Sequence, residues 1–276
     1  MPDKKTFIRW LLFTVYFLAV FMVFLLLLFP FDRVREKLES EVRLRTPIEL
    51  SVARISPRFF NRFVLSDVVV SDKSGKVLFE SPSARIGISL FGLLRGLLFL
   101  DVNAQAYGGE LLVKVQQGPG RQSLAIDATD LDLGSYPLFK TLGLKLSGKF
   151  GGKFEMTNDM GKGRFWLKGL TSRELKIKGF PVPDLDFEQA WLEGDIKGDR
   201  LIIKKLEFDG KELKVRCLGE LVMRERGTMN LTIKLRPSER LAREQSGILS
   251  FLKNKDVDGF YQFSLGGTLA EPLPRL

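Results

Sequence analysis

The 276 residues include no histidine and one cysteine, Cys217, which excludes an intrachain disulfide and any imidazole-based zinc, haem or general-base site. An apolar fraction of 45% can build a packed core in one large domain or two small ones, so a disordered chain is not expected. The net charge of +10 is dispersed: no dense basic block or aromatic-basic motif follows Lys4, Lys5 and Arg9, and no nucleic-acid partner is expected.

Trp10 to Phe29 is a run of 20 residues without a charge. At about 1.5 Å per helical residue it is long enough for a hydrocarbon core of about 30 Å. It ends in Phe29-Pro30-Phe31-Asp32 with no Ala-x-Ala site, which predicts an uncleaved signal anchor rather than a cleaved leader. The flanking charges favour neither orientation cleanly, since Arg33, Arg35, Lys37, Arg43 and Arg45 follow the run but are interleaved with four acids. The expected organisation is a cytoplasmic stretch over 1–9, a transmembrane anchor over 10–29, an amphipathic helical connector over 30–46 and an exported β-rich domain over 47–276. In the connector, Val34, Leu38 and Val42 share one helical stripe.

From Phe63 onward the apolar period becomes two. Met229, Leu231, Ile233 and Leu235 alternate with polar residues, as do Leu213, Val215 and Cys217, and Tyr261, Phe263 and Leu265. Turn signals at Asp72 to Gly75, Gly118 to Gly120, Asn158 to Gly161, Gly198-Asp199 and Asp209-Gly210 link these runs as hairpins, predicting an antiparallel meander. Helices are expected at Leu90 to Phe99, Tyr136 to Leu142 and Ser238 to Leu252. One wet and one apolar face then require a cover: the sheet folded over itself, the helices, or a bound lipid in the crease.

No chemistry-bearing constellation emerges. Gly118 to Ser123 (GPGRQS) lacks the Gly-Lys-Ser/Thr ending of a phosphate loop and fits a hairpin turn. Asp127, Asp130 and Asp132 lie close in sequence but without calcium-loop spacing. Asp184, Asp186 and Glu188 alternate with Leu185 and Phe187 as wet residues of a strand, with Ala190 and Leu192 packing further along. Asn230-Leu231-Thr232 matches a glycosylation triplet inside a predicted strand. Cys217 reads as a small core side chain. The expectation is no catalytic, cofactor-binding or metal-ligating residue, no cofactor and no enzyme activity.

The segments FVLSDVVVSDKSGKVLF, AYGGELLVKV, DLDLGSYPLFKTLGLKLSGKF, FPVPDLDF, FDGKELKVRCLGEL and LGGTLAEP, behind one N-terminal apolar run, resemble protein N of the type II secretion system in its longer, AsmA-like form. The resemblance implies a mainly β fold, a curved amphipathic antiparallel sheet with a few short helices behind a transmembrane helix. It also implies a single-pass bacterial inner-membrane protein with its domain in the periplasm. Such a protein would assist export of folded proteins by contacts with other secretion components, the secretin or the inner-membrane platform. AsmA-type relatives of that family imply the alternative, a lipid-binding or lipid-transfer role in envelope biogenesis with phospholipid in a β-groove.

Overall fold

The computed structural model describes residues 10, 12–17, 20–21, 30–59, 61–141, 143–174, 176–177, 180–181, 183–224, 227–249, 252, 255–268 and 271–275. Among them, fourteen strands form one antiparallel sheet in which each pairs with its neighbours along the chain. The first half comprises β1 (Ile48–Phe59), β2 (Arg62–Asp72), β3 (Val77–Ile88), β4 (Leu98–Ala106), β5 (Gly109–Gly118), β6 (Arg121–Asp132) and β7 (Lys145–Thr157). After β8 (Met160–Arg173) a two-stranded hairpin, β9 (Lys176–Ile177) with β10 (Phe180–Pro181), stands apart. The sheet resumes with β11 (Leu185–Lys197), β12 (Arg200–Gly210), β13 (Leu213–Val222), β14 (Met229–Pro237), β15 (Tyr261–Gly267) and β16 (Pro272–Arg275). Hairpin turns set most of this order, because short connections hold consecutive strands side by side, while longer segments join β3 to β4, β6 to β7, β8 to β11 and β14 to β15.

The sheet is a single layer. The chain exposes 19368 Å², whereas a compact monomer of 31.3 kDa exposes about 12,000 Å². Open sheets of this strand number curl rather than stay flat, and bulges at Glu188, Lys204 and Thr129-Asp130 add local bends. Pro82 has a larger effect. It cannot donate to a ladder; it stands opposite Asp67, whose φ is 50°, and β4 pairs with β3 only from Ser83 onward. The first half of β3 is therefore left with an open flank.

Both ends of the sheet are blunted. Helix α1 (Phe31–Arg45) lies along β1, where Arg35 Nη1 donates to the Ala53 carbonyl at 2.9 Å and Glu39 Oε1 accepts from the Val52 N–H at 2.9 Å. These bonds occupy edge groups that would otherwise template another strand. At the far end β16 reads Pro-Leu-Pro-Arg, and its two prolines offer no N–H. Replacing Glu39 with alanine is expected to lower stability by about 1 kcal/mol. The urea midpoint should fall, and light scattering should show self-association rising with concentration.

The expected fold class is corrected in one respect. The antiparallel sheet with short helices is present, but no helix among the described residues is long and apolar enough to cross a membrane. The longest described helix with printed bounds, α1, has 15 residues and is dense in charge, against the roughly 20 apolar residues that a span requires. Of the uncharged run over 10–29, residues 10, 12–17, 20 and 21 are helical and the others lie outside the described residues, as does the stretch 1–9.

Other elements are shorter than their sequence patterns suggest. Helix α2 (Leu90–Leu94) stops well before Phe99, since Leu98 already opens β4. The segment from Tyr136 contains α3 (Pro137–Thr141), with Leu142 outside the described residues. The stretch after Pro237 holds α4 (Glu239–Glu244), capped by the Ser238 hydroxyl accepting from the Leu241 N–H at 3.2 Å, and α5 (Ser246–Leu249). The first strand begins at Ile48, fifteen residues before the visible change of period.

Candidate interaction site: the apolar face of the sheet

Register turns the alternation of each strand into continuous rows. One row crosses all fourteen strands: Pro57, Phe63, Ile86, Val102, Val113, Ile126, Phe154, Gly163, Gly194, Ile203, Gly219, Leu231, Leu265 and Pro274. It contains no polar side chain. The adjacent row on the same face runs from Ile55 and Leu65 through Ala84, Ala104, Leu111, Ala128, Gly152, Phe165, Leu192, Leu206 and Cys217 to Ile233 and Phe263. It too is apolar throughout. Two-residue alternation requires the opposite face to be polar, and Asp127, Lys153, Arg164 and Glu193 lie there in sequence across four strands. Lys153 Nζ meets Asp127 at 3.0 Å and Arg164 Nε meets Glu193 at 3.5 Å.

Among the described residues no second sheet lies over the apolar rows. Val52, Leu65, Val68, Ala84 and Ala104 form a buried cluster within the first four strands, but Phe154, Phe165, Leu192, Leu206, Ile233 and Phe263 are only half-buried. In the middle of the strip the floor is glycine. A Cβ at Gly152 would stand 2.4 Å from the Phe165 ring, and one at Gly163 would stand 2.7 Å from the same ring and 3.4 Å from Phe154. The rings lie down over the missing side chains, and Phe150 and Phe165 stack with centroids 5.8 Å apart. On the polar face Trp166 covers Gly151 in the same manner and lies 6.5 Å from Trp191. The result is a smooth apolar pavement on one side and an ion-paired lattice on the other.

The open flank of β3 is closed by aromatic hydroxyls. The Tyr136 hydroxyl donates to the Leu78 carbonyl at 2.8 Å, and the Tyr107 hydroxyl accepts from the Glu80 N–H at 2.7 Å. Ser81 Oγ donates to the Gln105 carbonyl at 2.7 Å. Phe79, Tyr107, Tyr136 and Phe139 meet edge to face in a chain, with centroids 5.2 to 6.0 Å apart. Partial burial holds both phenols above their ordinary range, so both stay protonated at neutral pH, Tyr136 as the donor and Tyr107 as the acceptor of these bonds.

The residues singled out by sequence fall apart as sites. Asp127 faces Lys153, Asp130 lies in a bulge at φ 53°, and Asp132 accepts from Ser135 Oγ at 2.6 Å to start a helical turn. Asp184 and Asp186 both face one guanidinium, Arg173, at 3.9 and 2.6 Å, while the bulged Glu188 faces Lys211 at 3.8 Å. Cys217 is buried on the apolar face, and burial pushes its thiol up, away from the reactive thiolate. Asn230 pairs opposite Glu220 within the ladder, and Gly118 pairs with Arg121 across a hairpin turn. Among the described residues no group of three or more Cys, Asp or Glu stands where it could hold a metal. The bulge at Glu188 accounts for a step in the pattern, because an extra residue moves the inward positions from Leu185 and Phe187 to Ala190 and Leu192.

Turn aspartates contribute to the acid limit. Asp72, bonded by the Ser74 hydroxyl at 2.5 Å, Asp132, bonded by Ser135, and Asp256, bonded by the Phe260 N–H at 2.8 Å, are all held below the ordinary carboxylate range. A lowered folded value means stability that is present above the unfolded value and lost as pH falls through the folded one. The melting temperature should be flat from neutral pH to about pH 5 and fall below about pH 4, with a shallower fall in Asp72→Asn.

No protein-family model matches the chain, and no curated protein or solved structure is significantly similar to it.

Proposed function

We propose that the chain is a non-enzymatic component of the bacterial type II secretion system, sited at the inner membrane with its sheet in the periplasm, and that it assists export of folded proteins by binding secretion partners through its sheet faces. One observation carries this reading: among the described residues a single-layer sheet has both edges blocked while both faces remain accessible. Contacts then have to be made face-on rather than by strand addition. The uncharged run from Trp10 to Phe29 supports the membrane location. Deleting the gene and assaying a secreted substrate tests the role. Accumulation in the periplasm is expected, whereas normal export from an intact envelope would overturn it. A reporter fused after Leu276 and active only in the periplasm tests the location.

A second reading is favoured by the glycine-floored pavement: the strip accommodates the acyl chains of a phospholipid, as in a lipid-binding or lipid-transfer protein. Half-buried Phe154, Phe165 and Leu192 gain from covering of the surface they leave open, at roughly 25 cal/mol per Å² of apolar surface removed from water. Phospholipid recovered by mass spectrometry with the purified full-length chain, and lost in Gly163→Glu, would establish it. A lipid-free protein with unchanged stability would exclude it.

A further inference from the structure

We propose that one rim of the sheet, carrying helix α2, docks on the surface of an anionic phospholipid bilayer. The register places three connections side by side: Arg62 pairs with Gly87, Ile88 with Leu100, Leu98 with Gln117, and Gly118 with Arg121. The β1–β2 turn, α2 and the β5–β6 turn therefore share a rim. α2 presents Leu90, Phe91, Leu93 and Leu94 to solvent, with Phe91 64% and Leu94 85% exposed. A five-residue helix that turns its apolar side chains outward is anomalous for a solvated loop, where such exposure costs free energy and gains no packing.

Two further features identify the occupant. Around α2 stand Arg58, Arg62, Arg95 and Arg121, all exposed and none in an ion pair among the described residues, while residues 58–62, 89–97 and 118–121 contain no acid. Arg95 lies over the Phe91 ring at 4.2 Å. Apolar side chains ringed by arginines match the boundary between acyl chains and anionic headgroups. The rest of this rim differs, since its tips carry Asp159 and Asp199. Helix α1 also begins near this rim, although β1 itself starts at the opposite one: the Phe31 ring at the start of α1 is 6.4 Å from Phe63, which pairs with Ile86 near the α2 rim. The uncharged run over 10–29 directly precedes that point. The start of α1 and the apolar finger thus lie toward the same rim of the sheet.

The inference rests on the membrane location but not on the secretion role, and it is tested in vitro on the full chain. Cys217→Ala provides a background for a single new cysteine, Leu94→Cys on this rim or Lys73→Cys on the opposite one. Each is labelled with a fluorophore and reconstituted in vesicles of phosphatidylethanolamine and phosphatidylglycerol. Headgroup spin-labelled lipids should quench the label at 94 at least about threefold more than the label at 73. The excess should shrink toward unity in phosphatidylcholine vesicles or when Arg58, Arg62 and Arg121 are each replaced by glutamine. Equal quenching at both positions would overturn the proposal. So would protection of position 94 in lipid-free detergent that grows with protein concentration, which would assign the patch to a second copy.

Discussion

Gly152→Val should lower stability by about 3 kcal/mol or more, which for a domain of this size corresponds to a fall in melting temperature of about 6 to 12 °C. Gly152 pairs with Ala128 on one side and Phe165 on the other. Its missing Cβ would sit 2.4 Å from the Phe165 ring, 2.7 Å from the Arg164 carbonyl oxygen and 2.9 Å from the Phe165 Cα. The ring could swing away, but the two backbone atoms could not, so the β7–β8 ladder has to open. Gly169→Ala is the control. Nothing lies within 4 Å of its added Cβ, and only the strain of φ 60° remains, worth about 1 kcal/mol. Calorimetry on both variants separates close approach from backbone strain. A fall no larger in Gly152→Val than in Gly169→Ala would refute the packed floor.

Tyr136→Ala is expected to cost about 2 to 4 kcal/mol, less than a fully buried aromatic because the ring is partly exposed. It removes the donor to the Leu78 carbonyl and the ring contacts to Tyr107 and Phe139 at 5.4 and 5.2 Å. Tyr107→Phe keeps the ring but leaves the Glu80 N–H without its acceptor, at about 1 to 2 kcal/mol. Hydrogen exchange at the Glu80 amide should accelerate in both. The two residues touch and close the same flank, so their effects should couple by about 0.5 to 1.5 kcal/mol in a double-mutant cycle. Strict additivity would mean that the tyrosines act separately.

Much of the sheet was legible because alternation and turn chemistry are local. Met229 to Leu235 announces β14, and Asp72 to Gly75 announces a turn. Where both signals were weak the reading failed. The apolar run Leu97 to Leu100 suits a helix or a strand equally, and tertiary pairing with Gln116 and Gln117 decided for β4. In β1, Arg54 and Arg58 broke the pattern, yet the strand is fixed by its ladder to β2 and by α1. The apolar rows are a different matter. They depend on the register of thirteen successive pairings and on bulges such as Glu188, which no single segment encodes. Pro82 was visible in the sequence, but its consequence was not, because the open flank and the two tyrosines that close it are 25 and 54 residues further along.

The blocked edges set a length. Fourteen strands at about 4.8 Å apart make a strip roughly 65 Å from end to end, about twice the hydrocarbon thickness of a bilayer. Its first strand is shut by α1 and its last by Pro272 and Pro274, so one chain defines the whole distance and no copy can extend it by pairing. An apolar molecule held against Phe63 could travel to Leu265 by stepping between half-covered side chains, never crossing a polar residue of the row on the way. The sheet is in that sense a ruler with a slippery side, and the prolines of its edge strand β16 mark where the ruler stops.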